Sequence, residues 1–308
     1  MSDIQCQISN IQSQLEAAYP KDEARALAWW IMEEVTGLSR SQILSGYKGT
    51  TNFPNTQVFV DRLLHFEPIQ YIFGHTLWNG LDLKVTPATL IPRPETAELV
   101  ERISNFLSQR NDYFKFQISY PKGTIISNCR VLDVGTGSGC IAISLKKAHP
   151  EWQVTGIDIS PEAIEVAREN AKRNGVEVNF QVADIFDSNG ENHKFEIINH
   201  KYDLVVSNPP YIRECEKATM RPNVFRFEPE AALFVPDNDP LKFYRRIAEL
   251  FAHTLYTVHR TPKFLFFEIN EAYPQELSAM LSELGYTDIL ITNDIYGKPR
   301  IIEARMAG

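Results

Sequence analysis

The hydrophobic pattern of this chain changes its period twice. Over residues 1 to about 66, apolar residues return every three or four positions: Ile4, Ile8, Ile11 and Leu15, then Ala24, Leu27, Ala28, Ile31, Met32 and Val35. That spacing puts each set on one face of a helix. Gly37 is expected to stop the second helix, Ser39 with Gln42 has the spacing of a capping box for a third, and Val58 to Phe66 suggests a fourth. A small helical bundle follows, which needs no function beyond packing to explain its pattern. Between Glu67 and Arg93 the period is lost. Pro68, Gly74, Gly80, Pro87, Pro92 and Pro94 punctuate short extended pieces such as Leu81–Val85, the pattern of a linker with a β-hairpin. Thr96 to Leu107 reads as a helix opening a second domain, and 109–127 as a polar surface excursion.

From Arg130 onward apolar strands alternate with helices, which predicts a mostly parallel sheet with helices on both faces. Val131–Val134 is the first strand, Gly135–Gly139 its turn and Cys140–Lys147 the next helix. Trp152–Ile157 is the second strand, ending at Asp158; Ser160 and Pro161 open a helix that closes with Lys172, Arg173 and Gly175. Val178–Val182 ends at Asp184, Tyr202–Val206 ends at Asn208, Leu241–Tyr256 is a helix and Lys263–Ile269 a fifth strand. Thr287–Thr292 and Arg300–Met306 read as a closing antiparallel pair. The expected division is a helical domain over 1–73, a linker with hairpin over 74–94 and an α/β domain over 95–308.

Composition narrows the field little. A chain of 308 residues with 44% hydrophobic and 23% charged residues has the profile of a soluble globular protein. The formal charge of −8 weighs against a protein built to wrap nucleic acid. Cys6, Cys129, Cys140 and Cys215 lack the close spacing of a zinc or redox motif, the seven histidines have no metal-ligand spacing, and no signal peptide or long apolar span is present. The expectation is a cytoplasmic protein with no metal and no membrane contact.

The candidate chemistry lies at strand ends, where open α/β sheets hold ligands. Gly135-Thr136-Gly137-Ser138-Gly139 is a turn whose backbone N–H groups a ligand can approach closely, although a tight structural turn would look the same. Its spacing is not the G-x-G-x-x-G of a dinucleotide fingerprint. Asp158, nineteen residues past Gly139, can accept both hydroxyls of a ribose. Asp184 is placed to meet an adenine amine, with Ile185 or Phe186 against the ring. Either acid could instead cap a helix. Asn208-Pro209-Pro210-Tyr211 follows a buried strand: an amide that donates and accepts, two carbonyls without an N–H, and an aromatic face. A planar group bearing an NH2 fits that slot, whether a carboxamide or a base's exocyclic amine.

With the glycine turn, these residues resemble those of the N5-glutamine methyltransferases of peptide chain release factors, the PrmC/HemK family. Further matching segments are Pro68-Ile-Gln-Tyr-Ile-Phe-Gly74, Leu90-Ile-Pro-Arg-Pro-Glu-Thr96, Phe227-Glu-Pro229 with Ala232-Leu233, and Asp294-Ile-Tyr-Gly-Lys-Pro-Arg300. The Asn-Pro-Pro-Tyr motif alone is shared with DNA adenine and ribosomal RNA amino-methyltransferases; the Ile-Pro-Arg-Pro-Glu-Thr segment after a helical domain is more specific. The resemblance implies a class I, Rossmann-like fold dependent on S-adenosylmethionine (SAM), with a seven-stranded, mostly parallel sheet closed by an antiparallel strand. It implies that the helical domain docks class 1 release factors and that the glutamine of their Gly-Gly-Gln loop enters the slot. Direct contact with nucleic acid or a membrane is not expected, and a monomer is. Carried across, the SAM contacts are Gly135, Thr136, Gly137, Ser138, Gly139, Asp158, Asp184, Ile185 and Asn208. The glutamine contacts are Asn208, Pro209, Pro210 and Tyr211, of which Asn208, Pro209 and Tyr211 are assigned to catalysis. Arg93 and Glu95 could line the cleft or pin a joint, and Glu228 could serve the site or a nearby backbone group. The competing readings are a nucleic-acid adenine N6 methyltransferase and a SAM-binding protein without catalysis; an NAD-type oxidoreductase is the weakest.

Overall fold

The computed structural model describes residues 3–45, 55–108, 128–187, 202–253 and 263–306. The expected excursions 109–127 and, apart from Asp187, 187–201 lie outside these residues, as do positions 254–256 of the expected helix Leu241–Tyr256. The chain forms two compact units, one of residues 1–75 with 221–227 and the other of 76–220 with 228–308.

In the first unit, helices α1 (Asp3–Leu15), α2 (Lys21–Thr36), α3 (Arg40–Leu44), α4 (Gln57–Leu64) and α5 (Ile69–Phe73) enclose a core that holds Ile4, Ile8, Ile11, Leu15, Ala28 and Met32. The helix ends follow local chemistry. Gly37 takes the left-handed conformation that stops α2 (φ 65°), and Ser39 and Gln42 bond each other's main chain in a capping box. The short α5 lies where extended chain was expected, and Gly74 ends it in the same left-handed way (φ 75°). Residues 221–227 add a one-turn helix, Pro222–Phe225, and Arg221 pairs with Glu23 at 2.5 Å.

The second unit begins with strands β1 (His75–Trp78) and β2 (Leu81–Lys84), which form a two-stranded sheet. Asn79 (φ 47°) and Gly80 (φ 72°) make a two-residue turn with both central residues left-handed, the geometry that matches strand twist. The hairpin expected as a linker is part of this unit's core, with Leu81 and Leu83 buried. Then come α6 (Pro94–Ser108), β3 (Arg130–Val134), α7 (Cys140–Ala148), β4 (Gln153–Asp158), α8 (Pro161–Arg173), β5 (Asn179–Val182) and β6 (Leu204–Ser207). Short pieces β7 (Ile212–Arg213) and β8 (Phe234–Val235) pair in parallel. The chain closes with a helix at Lys242–His253, β9 (Lys263–Glu268), a helix at Pro274–Glu283, and β10 (Tyr286–Asn293) and β11 (Pro299–Met306).

Seven strands form one sheet in the order β10-β11-β9-β6-β3-β4-β5, parallel from β9 to β5 and antiparallel at both contacts of β11. Alternate strand residues enter opposite cores. Leu204 and Val206 join Leu99, Ile103 and Ile141 on one face; Val205 joins Tyr244, Ile247 and Leu277 on the other. The central strands are apolar on both faces because helices cover both. Among the described residues no helix is long and apolar enough to cross a membrane.

Candidate active site

Strand register brings the candidate residues to one rim. Val134 pairs with Ile157 and Ser207, Ser207 pairs with Phe267, and Asp158 with Val182. At the carboxyl edge the order is therefore Glu268, Asn208, Gly135, Asp158 and the Ala183–Asp184 turn, side by side.

The glycine turn is tied to its neighbour strand. Gly135 and Thr136 both donate their N–H to Ile157 O at 2.9 Å, and Gly137 N–H donates to Asp158 Oδ2 at 2.9 Å. Gly135 and Gly137 have positive φ and open space where a Cβ would stand, whereas one on Gly139 would lie 3.0 Å from Ile143 Cδ1 and Phe180 Cζ. The first two glycines thus leave room for a ligand, and the third lets α7 pack against its neighbours. Thr136 and Ser138 are buried. What they present to a ligand is main chain.

Beneath the turn, Asp133 Oδ2 accepts from Thr136 Oγ1 at 2.7 Å and from Ala142 N–H at 3.2 Å, while Oδ1 is buried without a partner. Burial raises this carboxyl to about 7, against the pull of those two donors. The fold therefore favours its protonated form, a contribution to stability fully present below about pH 4 and lost as pH rises through about 7. Relative to Asp133→Asn, the wild type is expected to lose roughly 1–2 kcal/mol of unfolding free energy between about pH 5.5 and 8.5. Denaturant melts at the two pH values measure this, and a flat difference would remove the assignment.

Asp158 Oδ1 accepts from Ser160 N–H at 3.0 Å, so its carboxylate serves both the glycine turn and the start of α8. Burial raises its pKa, opposed by these backbone donors. A carboxylate has about four acceptor positions, which leaves capacity for a hydroxyl. Asp184 is exposed and accepts from Phe186 N–H at 2.8 Å. Of the two residues expected against a ring, Ile185 packs into the second core and lines a small apolar recess with Leu132, Val134, Ile157, Ile247 and Phe251. Phe186 stands edge-on to Phe243, with Lys242 Nζ 4.7 Å above its ring.

At the other side of the glycine turn, Pro209 is buried, and Asn208, Pro210 and Tyr211 are half-buried. Asn208 Nδ2 donates to Thr96 Oγ1 at 3.2 Å, and Tyr211 O accepts from Asn270 Nδ2 at 3.0 Å. Thr96 Oγ1 and Tyr211 OH donate to the two oxygens of Glu268, at 2.6 and 3.3 Å. Burial raises the Tyr211 hydroxyl's pKa and the nearby Glu268 carboxylate adds to the effect, so the phenol stays protonated.

Residues 125–282 match a family described as a methyltransferase domain, and residues 8–74 match one described as the PrmC N-terminal domain. A protein of Bacteroides thetaiotaomicron named Release factor glutamine methyltransferase is 41% identical over 96% of this chain and 97% of its own length. Another of that name, from Flavobacterium psychrophilum, is 41% identical over 77% of this chain and 75% of its own. The chain belongs to the release factor glutamine methyltransferase family.

The fold agrees. A crystal structure of the hMettl16 catalytic domain with an RNA hairpin superposes with a TM-score of 0.51 at 15% identity, over 74% of this chain and 76% of that one. The methyl donor is SAM. The rim fits such a ligand: open space beside the main chain at Gly135 and Gly137, whose N–H groups are themselves tied to Ile157 and Asp158, and a carboxylate one strand away at Asp158.

Three residues that matter to this rim, Asn170, Glu268 and Asn270, carried no signal of their own in the sequence, and Thr96 stood out only as the end of a matching segment. Asn170 is buried in α8; its amide donates to Ser138 O and Lys84 O at 2.9 Å and accepts from Lys84 N–H at 2.6 Å, holding the glycine turn to the hairpin. Glu268 is an acid ending an apolar strand, and Thr96 and Asn270 are its neighbours around the slot. Glu228 serves a nearby backbone group: it is buried, accepts from Ile91 N–H at 3.1 Å and pairs with Arg93 at 2.6 Å. Arg93 and Glu228 thus fasten the Leu90–Thr96 segment within the second unit. Glu95 lies close enough to Glu268 to oppose its ionisation.

Proposed function

We propose that this rim transfers a methyl group from SAM to the side-chain amide nitrogen of the glutamine in the Gly-Gly-Gln loop of peptide chain release factors. The observation that carries the reading is the position of Asn208-Pro-Pro-Tyr211 one strand from the glycine turn, in a chain that matches a curated relative over 96% of its length. When bound, SAM supplies an electrophilic methyl on a positive sulfur. The chain's own residues have to bind, orient and exclude water. Main chain at Gly135–Gly139 with Asp158 and Asp184 holds the nucleoside and its methionine part, and Asn208 borders it.

A carboxamide nitrogen is a weak nucleophile because its lone pair is shared with the carbonyl. Asn208 Oδ1 and the Pro209 carbonyl accept its two N–H bonds, which fixes its direction and enriches its electron density; Tyr211 packs on its plane. Holding both reactants in line supplies on the order of 7–11 kcal/mol of the barrier, so no dedicated base is required before transfer. The proton leaves afterwards.

The helical unit, residues 1–75 with 221–227, is the proposed docking element for class 1 release factors. The protein is proposed to act as a cytoplasmic monomer without direct nucleic-acid contact; all four cysteines are free thiols, as a reducing compartment allows. The test is transfer of labelled methyl from SAM to an unmethylated release factor and, in parallel, to DNA and RNA. Label on the factor that disappears when its Gly-Gly-Gln glutamine is replaced supports the reading; label on nucleic acid alone overturns it in favour of an adenine amine in the same slot.

A further inference from the structure

We infer that Thr96 and Glu268 are positioning residues for the transfer, deciding which end of the Asn208 amide faces the acceptor. This rests on the role given to Asn208 above. The oxygen and nitrogen of an amide are alike in shape, so only its partners separate the two orientations. Here the partners form a directed chain. A carboxylate oxygen only accepts, and Glu268 Oε2 lies 2.6 Å from Thr96 Oγ1. Threonine has a single hydroxyl proton, and that proton is committed to Glu268.

What Thr96 then offers Asn208, 3.2 Å away, is a lone pair. A lone pair attracts the amide NH2 and repels the amide oxygen. Asn208 Nδ2 is held towards Thr96, and Oδ1 is turned the other way as an acceptor. In the flipped amide Oδ1 would meet the lone pair of Thr96, and an NH2 would confront the NH2 of the substrate. Thr96 and Glu268 are 2% and 1% exposed, so water does not substitute for either partner and the preference is strong.

The same carboxylate reaches the second wall of the slot. Tyr211 OH donates to Oε1 at 3.3 Å, so one buried group fixes both the amide and the ring. Burial raises the Glu268 pKa and Glu95 adds to the effect, while the Thr96 hydroxyl, the Arg300 guanidinium and the Tyr211 hydroxyl pull it back towards the accepting carboxylate. Tyr244 OH donates to the main-chain oxygen of Glu268 at 3.1 Å, holding the strand end in place.

The experiment compares wild type, Thr96→Val, Thr96→Ser, Glu268→Gln and Asn208→Ala in steady-state methyl transfer to a purified release factor, with SAM affinity by calorimetry. Valine matches threonine in shape and removes the lone pair. Thr96→Val is expected to lower kcat about tenfold, with KM for the factor and Kd for SAM within about twofold, and Thr96→Ser to return kcat to within about threefold of wild type. Glu268→Gln adds an NH2 that can donate to Thr96 and free its proton to turn; kcat should fall with SAM affinity retained, independently of how valine packs. Wild-type kcat in both Thr96→Val and Glu268→Gln overturns the inference, as does Thr96→Ser failing as badly as Thr96→Val, which would mark a packing role. Full turnover by Asn208→Ala in the same assay would instead bring down the slot reading on which it rests.

Discussion

Replacing Asn208 with alanine is expected to lower methyl transfer by roughly 10²-fold or more while SAM binding stays close to wild type. The side chain removed is the acceptor that orients the reacting amide, and its loss is felt once the electron density of that nitrogen has to be directed at the methyl carbon. The backbone of the slot does not depend on it: Ser207 Oγ donates to Val134 O at 2.6 Å, and the Tyr211 carbonyl is held by Asn270. Single-turnover rates together with SAM titration separate the two quantities. A near-normal rate would show that the proline carbonyl and Tyr211 suffice, and that Asn208 is only part of the wall.

The second large effect is expected at Asp158. Asp158→Ala should weaken SAM binding by about 1–3 kcal/mol, through lost charge-assisted hydrogen bonds. The structure adds a cause not visible in the sequence, because the same carboxylate holds Gly137 N–H at 2.9 Å and Ser160 N–H at 3.0 Å. Asp158→Asn keeps an acceptor for one of these donors and should fall between alanine and wild type. Calorimetry showing unchanged affinity in both variants would remove Asp158 from the cofactor site.

Much of this rim was legible before the structure because it is built from local signals. A glycine turn after a strand, an acid at the tip of the next strand and two prolines after another each state a main-chain geometry, and parallel strands bring their carboxyl ends to one edge. The helical unit was legible for a similar reason: Ile4, Ile8, Ile11 and Leu15 repeat at helical spacing, and all four are buried. What escaped has no period. The short α5 and the small elements between Ile212 and Val235 are too short for a repeat to show, and tertiary packing decides them. Asn79-Gly80 does carry a turn signal, but it shows only when the two residues are taken as a pair. Asn170 sits in a helix where one amide among charged residues looks like surface; its burial follows only from the hairpin that closes over it. Glu268 needed Thr96 and Tyr211, respectively 172 and 57 positions away, before it could be read as anything but a charge at a strand end.

The membership of residues 221–227 in the first unit bears on how such a protein can be inherited or rebuilt. The polypeptide passes between its units after His75, after Met220 and again before Glu228. A single recombination point therefore cannot exchange the helical unit as a cassette: a graft ending at residue 75 carries the bundle away from Arg221, the partner of Glu23. Moving the helical unit intact takes two segments of chain, residues 1–75 and 221–227.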